Sequence, residues 1–354
     1  MSHTLPPAST ATPLQTHRKT HRKTHRPSAA RRLRTTLTAA GAIAGLSVLA
    51  ACSGTTYAET QVPVPPTTTA ASNPPVTPVS CTNATQSYDP LPSIPASGSI
   101  SDAAMKKIID RGYVTVGVSA DTYLFAARNP LDGKIEGFDI DIAKAVAKSI
   151  FGDPNKVQLR VITAADRIPL LENRSVDMVV RNMSMTCDRW NDIAFSAEYY
   201  RSGQTVLVAK PPGATKVDTT LADLTGKKVC APTGTSSLDK LRSVKGPIPV
   251  TAPNHTGCLV LFQQGDADAI TGDDTVLAGL AAQDPYTIVS SAPLITQEPY
   301  GIGINKNDRY FARYLNAVLA EVKSDGEWKA IYNRWLAGPL GPAPTPPKPV
   351  YGRR

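Results

Sequence analysis

Two proline-rich stretches fix which part of this 354-residue chain is able to fold. Nine prolines lie between Pro63 and Pro95, mixed with Thr, Ser and Ala, and six more lie between Gly338 and Arg354. Proline locks φ and carries no N–H, and segments so poor in large apolar side chains bury no core of their own. Residues 52–97 are therefore expected as a spacer, and 339–354 as a tail of the same extended kind. Between them lie about 240 residues of ordinary globular sequence, room for one or two domains.

Charge is distributed just as unevenly. The chain carries 38 Lys and Arg against 29 Asp and Glu, a net charge of +9. On its own that total suggests nucleic acid or an anionic membrane as partner. Eight of the basic residues, from Arg18 to Arg34, fall within residues 1–51, where there is no acidic residue. The remainder has 30 basic against 29 acidic residues, so no nucleic-acid partner is expected. Four of the five histidines also precede residue 52, leaving only His255. A His-rich zinc site is excluded beyond the leader, and Ser-His-Asp chemistry would depend on that one residue.

Leu37–Ala51 (LTAAGAIAGLSVLAA) is an apolar run of 15 residues behind the basic block. A membrane span needs roughly 20 residues, whereas the h-region of a signal peptide fits this length. The THRK repeat at 16–27 reads as an extended n-region, or as a product of an upstream start codon, in preference to a metal or nucleic-acid tract. The run ends in Leu49-Ala50-Ala51-Cys52, which resembles a bacterial lipoprotein box. The resemblance implies that 1–51 are removed, that Cys52 carries the acyl chains (palmitate among them), and that the protein sits lipid-anchored on the extracytoplasmic face of the cell membrane. An ordinary secretory signal with an incidental cysteine is the alternative. Cys81, Cys187, Cys230 and Cys258 then form an even set, suited to disulfides in an oxidising compartment. They have no C-x2-C spacing, so no metal site is expected of them, and they allow three pairings.

The core alternates short apolar runs with helical periodicity. Tyr113–Val118, Val157–Ile162, Val176–Val180, Gly203–Lys210, Ala267–Thr271 and Ile302–Ile304 read as strands. Ser101–Arg111, the run after Gly137, Arg167–Glu172, Leu259–Gln264, Tyr310–Ser324 and Trp328–Trp335 read as helices. Such alternation predicts an α/β fold with a mainly parallel sheet.

The motifs on this frame carry a specific resemblance. In order they are VTVGV, EGFDIDIAKAVA, DRIPLLENRSVDMV, SMTCDRWNDIAFSAEYY, LTGKKVCAPTGTSS, QQGDADAITGDD, EPYGIGINK and DGEWKAIYNRWLAG. The series resembles the amino-acid-binding family 3 of extracytoplasmic solute-binding proteins serving ABC importers. Within that family it is similar to glutamate/glutamine-binding lipoproteins of actinobacteria. The resemblance implies a two-lobed, type II periplasmic-binding-protein-like α/β fold, with two hinge strands and a ligand cleft between the lobes. Lobe 1 would comprise 98–201 plus 302–338, and lobe 2 would comprise 202–301. Cys230 and Cys258 fall in one such lobe, which favours that pairing and leaves Cys81 to tether the spacer to Cys187.

A free amino acid needs a fixed cation for its carboxylate and a fixed anion for its ammonium, and the planar fork of arginine suits the former. In Ser184-x-Thr186-x-x-Arg189 the spacing matches the family's α-carboxylate motif, which implies Arg189 as clamp, with Ser184 and Thr186 beside it. The pattern from Gly265 to Asp273 implies Asp273 as ammonium partner, with Asp274 as the alternative register and Asp268 as structural. Leu277 stands where a calcium loop would need its glutamate, so that reading is rejected. Thr235 and Ser236 match the segment that meets the carboxylate from lobe 2. Arg167 matches an arginine that faces the distal carboxylate in glutamate/aspartate-binding relatives; the plainer reading is a helix-start residue paired with Asp166 or Glu172. Arg128 and Arg181 are weaker candidates, and Tyr123 and Phe125 are expected to wall the pocket. No catalytic pair and no cofactor are expected. The implied function is reception of a polar amino acid, glutamate or aspartate before glutamine or asparagine, by a monomer that delivers it to an ABC permease. Presentation to a signalling membrane protein is the alternative, and a cyclohexadienyl-dehydratase-like enzyme is the remote one.

Overall fold

The structure, a computed structural model, describes residues 80–354. The leader, Cys52 and the first part of the expected spacer lie outside the described residues. The chain begins its first lobe with helix α1 (Ala103–Arg111), whose N-terminus is capped by Asp102, a carboxylate accepting from the Ala104 and Met105 N–H groups at 3.1 and 3.0 Å. Strand β1 (Val114–Val118) follows, then the small antiparallel sheet β2 (Asp121–Thr122), β3 (Ala126–Arg128) and β4 (Ile135–Glu136). Next come α2 (Phe138–Phe151), β5 (Val157–Val161), α3 (Arg167–Glu172), β6 (Met178–Val179), α4 (Arg189–Asp192) and β7 (Ile193–Phe195).

The chain then crosses to the second lobe on β8 (Tyr200–Ala209). That lobe is built from β9 (Lys228–Pro232), α5 (Ser236–Ser243), β10 (Ile248–Ala252), α6 (His255–Gln264), β11 (Ala269–Asp273), α7 (Asp274–Gln283), β12 (Thr287–Val289) and β13 (Thr296–Tyr300). It returns on β14 (Gly303–Asn305), followed by α8 (Arg309–Ser324), α9 (Glu327–Trp335) and the short α10 (Ala337–Leu340). The first sheet has the order β5-β1-β6-β14-β7. The second has the order β10-β9-β11-β8-β12, with β13 also paired to β8.

Each of the two large sheets is mixed, where the alternation of strand and helix had pointed to a mainly parallel one. β5, β1 and β6 are parallel to one another, as are β10, β9 and β11. β14 runs antiparallel to β6 and β7, and β8 antiparallel to β11, β12 and β13. The antiparallel strands are the ones next to the two crossings, where the chain changes lobe and reverses its direction. Tyr199, at the first crossing, donates its N–H to the Tyr300 carbonyl of the second at 2.8 Å, so the two crossings are hydrogen-bonded to each other.

Burial follows the period-2 pleat. In the second sheet Val206, Val229 and Ala269 join one apolar cluster with Leu238 and Leu241, while their neighbours Leu207, Cys230 and Ile270 join another with Cys258 and Leu277. Both faces are thus covered by helices, the environment in which α/β strands read as continuous apolar runs. The first lobe has a larger core that includes Trp328, Phe138, Phe195, Tyr314 and Phe311. Disulfides join Cys81 to Cys187 and Cys230 to Cys258.

The proline-rich flanks depart from expectation where they are described. Residues 81–97 and 341–354 do not run free as a spacer and a tail; they dock on the first lobe and on each other. Gln86 and Val350 form a parallel bridge, Ser87 donates its N–H to the Val350 carbonyl at 2.8 Å, and Arg353 donates its own to Ser87 at 2.9 Å. The Arg353 guanidinium lies 3.7 Å from the centroid of the Trp190 ring, and Trp190 Nε1 donates to the Ala84 carbonyl at 2.7 Å. Lys323 Nζ donates to the Pro347 carbonyl at 2.9 Å. Lack of an autonomous core does not prevent an extended segment from lying in a groove, because its carbonyls remain free to accept.

Candidate functional site

The cleft between the lobes closes over a small pocket walled by both. From the first lobe come Arg167 at the start of α3, Arg181, Asn182 and Ser184 on the loop after β6, and Arg189 at the start of α4. From the second come Thr235, Ser236 and Ser237 at the start of α5, His255 at the start of α6, and Asp273 at the end of β11. Helix N-termini present unpaired N–H groups and the positive end of the peptide dipole, so these four helix starts favour a negative group between them.

Arg167, Arg181 and Arg189 are 3%, 5% and 8% exposed, and none has a carboxylate within ion-pair distance among the described residues. Burial pulls all three guanidinium groups below the usual arginine range. Arg189 donates Nη1 to the Ser184 carbonyl at 2.7 Å and Nη2 to the Gly234 carbonyl at 3.3 Å. Arg167 gives Nε to the Ala164 carbonyl (2.9 Å), Nη1 to the Arg181 and Asn182 carbonyls (3.3 and 3.5 Å) and Nη2 to the Gly234 carbonyl (2.9 Å). It starts a helix, but its bonds go to backbone carbonyls and not to Asp166 or Glu172. The Gly234 carbonyl, from the second lobe, is thus shared by two arginines of the first. Gly234 has φ +76°, and a Cβ there would lie 2.7 Å from the Ala165 Cα. Only glycine permits this approach of the lobes.

Asp273 is 5% exposed and accepts from Tyr300 Oη at 2.5 Å and from Ser237 Oγ at 3.5 Å. Burial, with Glu298 nearby, pushes its carboxyl up to about 8. Glu298 itself accepts from Ser236 Oγ at 2.7 Å and from Thr296 Oγ1 at 2.6 Å. Thr235 caps α5, its Oγ1 accepting from the Leu238 N–H at 3.2 Å and donating to the Pro232 carbonyl at 2.7 Å. Ser236 reaches across the cleft to Ser184 Oγ at 3.4 Å.

Arg189, Arg167, Ser184, Asp273, Thr235 and Ser236 therefore share one pocket. Thr186, expected in the site, lines instead an adjoining cavity that shares Ser184, Arg189 and Ser236; its hydroxyl accepts from the Arg189 N–H at 3.4 Å and so shapes the turn that carries the arginine. Asp274 points elsewhere, to Ser202 Oγ at 2.5 Å and its neighbour's N–H. The two expected aromatic walls are corrected. Phe125 is fully buried and packs edge-on against Phe138, Tyr200 and Tyr300, behind the site in the first lobe's core. Tyr123 is 46% exposed and lines a separate surface cavity with Leu131 and Trp335. Neither belongs to the pocket, whose walls are polar.

Sequence reasoning missed Asn182, His255 and Tyr300. Asn182 Oδ1 and His255 Nε2 are the two buried side-chain polar atoms without a hydrogen-bond partner among the described residues. Both line this pocket. Burial, then Arg181 and Arg167, hold His255 down at about 3, so its imidazole is neutral. A Cβ on Gly272 would come within 2.3 Å of His255 Nε2, so the glycine beside Asp273 makes room for the ring. A lone histidine in a chain stripped of its leader was the available signal.

A polar pocket with unpaired buried guanidiniums, one buried carboxyl and two unpartnered acceptors is built for a small zwitterion. It holds no arranged nucleophile or acid–base pair. Comparison with known proteins agrees. The sequence profile of the bacterial extracellular solute-binding proteins, family 3, matches residues 114–338. The glutamine-binding protein GlnH of a Bacillus subtilis ABC transporter is 36% identical over 230 residues, 65% of this chain and 83% of the relative. The glutamate-binding protein GluB of Corynebacterium efficiens is 31% identical over 244 residues, 66% of this chain and 80% of the relative. Among solved structures, a mutant of the T. maritima protein ArgBP superposes with a TM-score of 0.61 at 29% identity, covering 66% of this chain and 99% of that one.

Proposed function

The chain belongs to the bacterial extracellular solute-binding proteins, family 3, and from that premise we propose that it receives an acidic amino acid, glutamate or aspartate, for an ABC importer. It is a receptor and not an enzyme, as its relatives are. One observation carries the acidic assignment: three buried arginines, none within ion-pair distance of a carboxylate among the described residues, line the same pocket as one buried aspartate. A buried charge is costly unless paired. A neutral amino acid brings one carboxylate and one ammonium; glutamate or aspartate brings a second carboxylate and balances the site better. In this reading Arg189 and the start of α5 take the α-carboxylate, Asp273 takes the ammonium, and the Arg167–Arg181 side takes the distal group. The protein is monomeric and held to the outer face of the membrane by lipid at Cys52, a tether that raises its effective concentration near a permease.

Calorimetric titration of the purified protein with each of the 20 amino acids tests this. Glutamate or aspartate is expected to bind at least roughly tenfold more tightly than glutamine or asparagine, as one charged hydrogen-bonded pair predicts. Binding of glutamine with no response to either acid would reject the acidic assignment and leave the family intact.

A further inference from the structure

We infer that Arg181 is the specificity-determining cation of the pocket, the one that reads the distal carboxylate of the ligand, and that Arg167 ties the lobes together. The inference rests on the acidic-ligand reading above. It follows from counting donors. A guanidinium has five N–H groups. Those of Arg167 face four backbone carbonyls, two of them on the Arg181–Asn182 segment and one, Gly234, on the opposite lobe. At most one N–H is left over, so a bidentate grip on a carboxylate would break bonds that hold the pocket's own backbone and close the cleft.

Arg181 is in the opposite condition. Its side chain makes one hydrogen bond among the described residues, from Nε to the Ile162 carbonyl at 3.0 Å. The Nη atoms, with four N–H groups, are uncommitted on a side chain that lines the pocket and is 5% exposed. The carboxylates that act on it from a distance are Asp121, Asp139 and Asp166, and each has other work. Asp139, fully buried, accepts from Tyr199 Oη at 2.8 Å and from the Asn182 N–H at 2.8 Å. Asp166 accepts from the Thr163 N–H and hydroxyl at 2.9 and 2.6 Å, and Asp121 from Ser119 Oγ at 2.7 Å. Bridging Nη atoms on a buried guanidinium are the best match available for a second carboxylate, because they offer two parallel N–H donors. Asp139 holds the neighbouring Asn182 backbone and Arg167 holds the Arg181 carbonyl, so the loop that presents this fork is held by the protein's own bonds.

The test is a titration of the purified protein and of Arg181→Gln and Arg167→Gln with glutamate and with glutamine. For Arg181→Gln, the glutamate-to-glutamine affinity ratio is expected to fall roughly 10- to 100-fold, the span of one charged hydrogen-bonded contact. For Arg167→Gln, both ligands are expected to weaken by similar factors, with the ratio changed less than about threefold. The inference is overturned if Arg181→Gln leaves the ratio unchanged, or if Arg167→Gln is the variant that collapses it. Should Arg181→Gln not fold by circular dichroism, Arg181→Lys serves instead: it keeps the charge and loses the fork, and a several-fold drop in the ratio supports the inference while an unchanged ratio overturns it. A wild-type protein that ignores both acids fails at the first titration, which rejects the acidic-ligand reading itself.

Discussion

Asp273 sets function against stability at a single side chain. Its carboxyl, at about 8, lies well above the ordinary 3.8. Between those values the folded state holds a proton that the unfolded state releases, so this group's contribution to stability falls as pH rises from about 4 to about 8. Ammonium recognition needs the ionised form. Asp273→Asn is therefore expected to lose amino-acid binding and yet to melt higher than the ligand-free parent at pH 8. The difference shrinks toward pH 5 in thermal scans across that range. By the same linkage, binding at pH 7 should release protons, visible as heats that differ between buffers of unlike ionisation enthalpy. Arg189→Ala should weaken every amino-acid ligand by at least roughly 100-fold, since a buried carboxylate would be left without its fork. Most of these residues were legible in the sequence because the S-x-T-x-x-R and G-x-x-D-A-x-x-x-D spacings are local. Asn182, His255 and the donor count of Arg181 were not, because they depend on which backbone carbonyls the fold brings within reach.

At the scale of elements, the hinge and the site are physically continuous. The Tyr300 hydroxyl, on the return crossing, donates to Asp273, and Tyr199, on the outward crossing, donates to Asp139 behind the Arg181 loop. Tyr300→Phe is expected to leave the fold intact and to lower amino-acid affinity several-fold, measured by calorimetry, because Asp273 then has one donor fewer to orient it. The docked flanks make a second element-scale prediction. Deletion of 341–354 removes Arg353 from Trp190 and should shift tryptophan emission to longer wavelength and lower the melting temperature. Composition misled here for a definable reason: proline content reports that a segment makes no core, and is silent on whether a neighbouring lobe offers it a groove. Phe125 misled in the reverse way, since an aromatic near the site motifs was drawn into a ring cluster with Phe138, Tyr200 and Tyr300.

For the whole molecule, the α/β class was legible in the alternation of periods 2 and 3.6, the two lobes only through the family resemblance, and the runs that were predicted fall within a few residues of their strands and helices. Strand direction was not, because orientation at the crossings follows from the chain returning to its first sheet, an event that no local window contains. The shared Gly234 carbonyl also bears on closure. It gives the arginines of one lobe an acceptor on the other, so part of the closed-state contact is made by the protein's own groups. Ligand shifts the population only by what it adds to that contact.

Viewed as a load path, the Cys81–Cys187 bond has an outcome of its own. Any pull arriving from the N-terminal side meets a covalent cross-link before it meets the first sheet, and passes over the 106-residue separation directly to residue 187. That point lies two positions from Arg189 and beside Trp190, where the C-terminal segment is also moored. A pull from that side would reach the 186–189 turn before the rest of the folded lobe.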